Sequence, residues 1–227
     1  MARRIVGLLP MKANSERVKG KNFRIFNGKP LFRWVLDSLL SLDSIDQVVI
    51  NTDARAILAE NGLVDSDRVL IRDRPSEICG DFVSMNRILA DDLAHVPADV
   101  YLMTHTTNPL LSGETVRAAL ARFEAARGEF DSLFSVNRFQ TRFYRADGSP
   151  VNHDPNNLVR TQDLEPWYEE NSNLYIFTRD SFARTKARIG SKPMMFEPPR
   201  MESFDIDTPV DWTICEIVSK HVTSAKG

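Results

Sequence analysis

Two hydrophobic periods alternate along the chain. Short runs rich in aliphatic and β-branched residues, at 4–9, 47–51, 68–72, 100–104 and 132–137, read as strands. Between them, 30–42, 54–61, 84–95 and 113–127 carry apolar residues at helical spacing. In the first of these Leu31, Trp34, Val35, Ser38, Leu39 and Leu42 recur at intervals of three and four, giving one inward stripe, with Pro30 at a tolerated early position. Strand and helix in turn predict βαβ units, hence an α/β fold built on a mainly parallel sheet with helices on both faces. The rhythm stops over 138–171, where Gly, Pro, Asn and charged residues dominate at 146–150 and 153–157. So long an excursion is not an idle connection. The pattern resumes with a strand at 173–177 and closes with a helix over 210–222.

Composition narrows the picture. With 227 residues, 42% hydrophobic and 26% charged, the chain suits one α/β domain spanning 1–227. The formal charge of -2 and a pI near 6.1 argue against nonspecific nucleic-acid binding. Cys79 and Cys215 lack metal-ligand spacing, so a reducing cytoplasm is the simpler expectation. No run approaches the roughly 20 apolar residues of a membrane helix, and the apolar run within 1–10 is too short for an export signal.

Charge is placed rather than spread. Residues 12–24 carry Lys12, Arg17, Lys19, Lys21 and Arg24 against Glu16 alone, directly after the first strand. Loops beyond the carboxyl ends of such strands bind ligands, and this one suits a polyphosphate. It is not a Walker A loop: Asn22 follows Gly20-Lys21 where Ser or Thr is required, and Ser15 stands where the first glycine belongs. A second cluster, Asp205-Ile206-Asp207-Thr208-Pro209, sends two carboxylates to one side of an extended segment, with Thr208 as N-cap and Pro209 opening a helix. Two carboxylates can converge on a hard cation, or decorate a loop.

The two clusters together resemble the acylneuraminate cytidylyltransferase (CMP-sialic acid synthetase) family. The loop resembles that family's nucleotide loop at Lys12, Ser15, Lys21 and Asn22, followed by Asn27-Gly28-Lys29-Pro30-Leu31. Asp205-Ile206-Asp207-Thr208 is similar to its Asp-Ile-Asp-Thr signature. Two departures stand out: Lys12 where the family usually has Arg, and Glu16-Arg17 where it has Lys-Gly.

The resemblance implies a Rossmann-like nucleotidyltransferase fold. It also implies transfer of CMP from CTP to the anomeric hydroxyl of an acidic nine-carbon 2-keto sugar, with release of pyrophosphate. Asp205 and Asp207 are expected to hold Mg2+, and Lys12, Lys21 and Asp207 to be catalytic. Lys12, Asn14, Ser15, Arg17, Lys21, Asn22, Arg74 and Ser84 are expected to meet the nucleotide, with Arg74 and Asn22 at cytosine or ribose. Asp53, in Asn51-Thr52-Asp53, is expected to be structural. The sugar is expected to meet His105, Thr106, Arg142, Arg160, Gln162 and Asn173. The family also implies that 138–171 is a homodimerisation arm reaching the partner's pocket; Phe139, Phe143, Tyr144, Trp167 and Tyr168 suit such an interface. Two alternatives stay open: a related nucleotidyltransferase for another base or sugar, such as an eight-carbon keto acid, and a nucleotide-binding homologue without catalysis.

Overall fold

A computed structural model describes residues 3–224. The strands are β1 (Ile5–Leu8), β2 (Ile25–Phe26), β3 (Lys29–Pro30), β4 (Gln47–Thr52), β5 (Val69–Asp73), β6 (Val100–Thr104), β7 (Ser132–Phe139), β8 (Trp167–Thr178) and β9 (Pro193–Phe196). The helices are α1 (Leu31–Leu40), α2 (Arg55–Glu60), α3 (Met85–His95), α4 (Gly113–Ala125), α5 (Arg179–Thr185) and α6 (Pro209–Ser224). Seven strands form one sheet in the order β5-β4-β1-β6-β8-β7-β9, and β8 alone runs against its neighbours. From β1 the chain steps outward to β4 and β5, then returns to place β6 on the other side of β1. That reversal is the topological switch point at which open α/β sheets hold ligands. No helix among the described residues is long and apolar enough to cross a membrane.

The period of two along the central strands loads both faces of the sheet. Val48 and Ile50 of β4 and Leu102 of β6 pack with Val35, Leu36 and Leu39 of α1 and Val116 and Leu120 of α4. Val49, Tyr101 and Met103, pointing the other way, pack with Leu89 and Leu93 of α3 and Phe182 of α5. Each fully buried Leu contributes about 1.5–3 kcal/mol.

A third cluster matters more for the site. Phe26, Leu31, Ile206, Trp212 and Cys215 pack together, with the Phe26 ring 5.5 Å from Trp212 and 5.7 Å from Trp34, both edge-on. Asn27 (φ 44°) and Gly28 (φ 95°) turn β2 into β3 with positive φ at both central positions, as a tight hairpin of this twist requires. Asn27 Nδ2 donates to Glu216 O at 3.2 Å, tying that hairpin to α6. The segment carrying Asp205 and Asp207 is thereby fixed relative to the loop after β1.

Several features differ from the pattern read in sequence. The strand expected at 173–177 begins at Trp167, because its first residues pair with Val136–Phe139 although all four are exposed and show no alternation of burial. Between Phe134 and Val136 the register shifts, and Ser172 (φ 56°) lies in the resulting bulge. The helix α5, the strand β9 and the β2–β3 hairpin were also not legible; each is short and held by tertiary contact. The irregular part of the excursion closes on itself: Phe143 stacks on Trp167 at 5.5 Å, and Gln140 Nε2 donates to Gln162 O and Leu164 O, both at 2.8 Å.

Candidate active site

The loop after β1 continues alongside β4, with Leu9 N donating to Val49 O and Met11 N to Asn51 O. Asp53 Oδ1 accepts from Ala13 N at 2.7 Å, a structural role. The turn that follows uses Gly20 at φ 61°, a conformation glycine adopts without strain, and returns the chain so that Lys21 and Asn22 face inward. Asn22, buried, acts as a clasp: its Nδ2 donates to Lys12 O (2.8 Å), its Oδ1 accepts from Thr106 Oγ1 (2.7 Å), and its backbone carbonyl accepts from Phe32 N. Loop, α1 and the end of β6 meet at this one amide.

The carboxylate segment docks opposite. Ile206 N donates to Thr107 O at 2.8 Å, and Lys21 Nζ donates to Ile206 O at 2.5 Å. Asp207 is flanked by Lys21 Nζ (3.4 Å) and an Arg17 nitrogen (3.2 Å). Thr208 and Asp211 form a reciprocal cap: Asp211 N donates to Thr208 Oγ1, while Asp211 Oδ2 accepts from Asp207 N, Thr208 N and Thr208 Oγ1. Burial works against it, yet these bonds hold the Asp211 carboxyl below its usual range. Burial lifts the Asp205 carboxyl above the usual range, and the neighbouring Asp207 pushes the same way against a bond with Thr107.

Between loop and carboxylates lies a cleft of about 290 Å³. Lys12, Ser15, Arg17, Lys21, Asn22, Arg74 and Asp207 line it, as do His105 and Thr106 from the end of β6. Asp205 is half-buried and does not line it. Asn14 and Ser84 are exposed and stand beside the cleft rather than on its wall. Arg142, Arg160 and Gln162 belong to the excursion, outside the cleft of a single chain; Arg142 donates to Val159 O and Arg160 pairs with Asp163. Asn173 is buried in the β8 bulge, its Nδ2 donating to Glu202 O at 2.9 Å.

Several participants escaped sequence reading. Asp81 pairs with Lys12 across the cleft mouth, an interaction that holds the Asp81 carboxyl below its usual range. Met85, Ile88 and Val83 supply an apolar wall. Neither depends on a motif. Arg74 is no solvated loop residue: its Nε donates to Asn51 Oδ1 (2.9 Å) and its terminal nitrogen to Met11 O (3.0 Å) and Asn51 O (2.7 Å), with burial lowering its pKa. Asn51 in turn donates to Asp92, a buried carboxyl pushed up to about 6 by burial despite Asn51 and Arg72.

The carboxylates suit a hard cation of one kind. Asp205 Oδ1 is buried without a partner among the described residues, and there is no cluster there of three or more metal-ligating side chains. Magnesium is commonly held by one or two carboxylates, with substrate phosphates and water completing its oxygens. A two-carboxylate site with one oxygen already desolvated fits a magnesium ion delivered with a triphosphate. It does not fit an all-protein cage.

Residues 6–218 match the family described as cytidylyltransferase. Similar proteins include the CMP-N,N'-diacetyllegionaminic acid synthase of Legionella pneumophila, 28% identical over 94% of this chain and 95% of that one. The N-acylneuraminate cytidylyltransferase of Oncorhynchus mykiss is also 28% identical, over 94% of this chain and 50% of its own longer chain. The pseudaminic acid cytidylyltransferase of Campylobacter jejuni is 23% identical over 94% and 95%. Among solved structures, a CMP:2-keto-3-deoxy-manno-octonic acid synthetase complexed with CTP superimposes with a TM-score of 0.68 at 15% identity, covering 96% of this chain and 99% of that one. That likeness concerns the fold. Together with the basic loop, the carboxylate pair and the switch-point cleft, the match over nearly the whole sequence shows that the chain belongs to the cytidylyltransferase family.

Proposed function

We propose that this cytidylyltransferase moves CMP from CTP to the anomeric hydroxyl of an acidic 2-keto sugar, releasing pyrophosphate and making a CMP-sugar donor. The single observation that carries the reading is the cleft in which Arg17 and Lys21 meet Asp207, with Lys12 and Asp81 paired on the same wall. The named activities of the legionaminic, acylneuraminate and pseudaminic acid relatives above support it. Asp207 pairs with Lys21 and Arg17, and Asp81 pairs with Lys12. A triphosphate takes over these cations. Lys21, nearly buried, anchors phosphate, and Lys12 meets charge developing at the α-phosphate. The sugar hydroxyl forms the new phosphorus–oxygen bond as the bond to pyrophosphate breaks, and the hydroxyl proton passes to solvent. Magnesium held by Asp205 and Asp207 would supply Lewis-acid charge to the phosphate oxygens.

The finer reading is a nine-carbon acid of the sialic type and a homodimer working in the cytoplasm, where CTP is made. Each excursion would bring Arg142, Arg160 and Gln162 to the partner's sugar, a carboxylate suiting Arg through paired hydrogen bonds. Leu158 (65% exposed) and Tyr144 (56%), with the half-exposed Trp167 and Tyr168, support burial of this excursion against another surface. The test is pyrophosphate release from CTP and magnesium with a panel of sialic, legionaminic, pseudaminic and eight-carbon keto acids. Release with a nine-carbon acid is expected; CTP binding with no release from any acid would favour a non-catalytic homologue.

A further inference from the structure

Behind the cleft floor, Arg188 sits in a socket that the reaction as described does not use. The residue follows α5, and its backbone N–H is held by Asn86 Oδ1 at 3.2 Å. Its guanidinium lies over the Tyr175 ring, 3.8 Å from the centroid, and one terminal nitrogen donates to Glu170 Oε1 at 3.2 Å. The other terminal nitrogen stands 3.4 Å from Nε2 of His105, the residue through which this group reaches the cleft. The Arg188 side chain is 19% exposed, and its guanidinium is met by Tyr175, Glu170, His105 and, at 3.9 Å, the Met103 sulfur.

An arginine has five N–H donors and no acceptor. The imidazole nitrogen facing it must therefore offer a lone pair, since an N–H there would set two donors head to head. A neutral imidazole carries one proton, which leaves it on Nδ1, and Nδ1 has no hydrogen-bond partner among the described residues. We propose that Arg188 is a positioning residue that holds His105 in its Nδ1–H form, so that the cleft floor presents a donor to an acceptor oxygen, carboxylate or acyl carbonyl, of the sugar. The inference rests on the acidic-sugar reading above and deepens it. Burial, with Arg188 and Lys21 adding to it, pushes the His105 pKa down to about 3, in keeping with a ring that stays neutral. His105 is then an orienting donor and not a proton acceptor in the reaction.

The test is two-bond proton–nitrogen NMR of the histidine rings in the whole protein, with His95, His153 and His221 as internal controls. Wild type is expected to show His105 as the Nδ1–H tautomer. Arg188→Met should return it to the ordinary tautomer mixture without disturbing the controls, and Arg188→Lys, again donor without acceptor, should restore it. Adding N-acetylneuraminic acid, or whichever acid of the panel is turned over, should shift the His105 Nδ1 signal where CTP alone does not. Arg188→Met should raise KM for that acid about tenfold, the worth of one hydrogen bond, with kcat and the KM for CTP within about twofold. An Nε2–H form in wild type, an unchanged tautomer in Arg188→Met, or a shift with CTP and not with sugar would overturn the assignment. The expected tautomers in a protein that turns over no acidic sugar would support the role of Arg188 and overturn only the functional reading.

Discussion

Asp207 pairs with both Lys21 and Arg17, and under the proposed function it would carry magnesium while a triphosphate takes those cations. Asp207→Asn should therefore lower kcat by about 10²–10³-fold while the dissociation constant for CTP changes much less. Single-turnover kinetics beside CTP titration check this, and near-normal turnover would remove Asp207 from the chemistry. Lys21 and Lys12 divide differently: Lys21→Ala should weaken CTP binding, and Lys12→Ala should mainly slow turnover, because only the latter is read as meeting charge that develops in the transition state. If Arg17→Ala abolishes turnover and Lys12→Ala does not, the stabilising role belongs to Arg17. His105 gives a pH prediction. Its pKa is near 6.5 unfolded and about 3 folded, so between those values the unfolded chain binds more protons, and stability falls as pH falls. The groups acting on it are Arg188, Lys21 and Asp207. Urea unfolding of wild type and His105→Gln should show the wild type losing more stability from pH 6.5 down to 4. Parallel curves would mean that His105 titrates normally.

Elements hold these residues in register. The reciprocal Thr208–Asp211 cap ends the carboxylate segment and starts α6 in three residues, with Pro209 at the first helical position. Thr208→Val keeps the branched shape and removes the hydroxyl, so it should cost about 1 kcal/mol, or about 2–4 °C in Tm. Calorimetry reads the loss; an unchanged Tm would show that the cap contributes nothing. The strand and helix pattern was legible because burial repeats along it, as in Leu31, Val35 and Leu39 on α1. The extension of β8 back to Trp167 was not, since Trp167, Tyr168, Glu169 and Glu170 are all exposed, show no alternation of burial, and are held as strand by pairing with β7. The Asn27-Gly28 hairpin carried a turn signal, but its two-residue strands are too short to show a period.

The whole molecule decides whether the excursion completes a second site. An isologous interface uses one surface twice, so each arm would serve the partner's cleft. Arg160→Ala should raise KM for the sugar and spare CTP binding, and Trp167→Ala should loosen the dimer and lower activity in step with dissociation. Mixing Arg160→Ala with Lys21→Ala subunits should recover activity, because one of the two shared sites in a heterodimer then holds neither defect. Sedimentation velocity with a subunit-exchange assay checks both points. A fully active monomer, or no recovery despite exchange, would refute the shared site.

What the sequence determined by itself was whatever is written in local order: the two hydrophobic periods, the cationic loop after the first strand, the Asp-x-Asp spacing with its cap, and through these the family. Such features survive in one dimension because neighbours in sequence make them. Tertiary structure decided what those groups face. Arg74 could have been a base contact or a solvated arginine until Asn51 and the Met11 carbonyl were brought against it. Lys12 met Asp81, 69 residues away, only because the segment before α3 reaches the loop after β1, and Arg188 met His105, 83 residues away, because the segment after α5 reaches the end of β6. Hydrogen-bond direction and charge compensation arise between distant segments, and no local pattern encodes them.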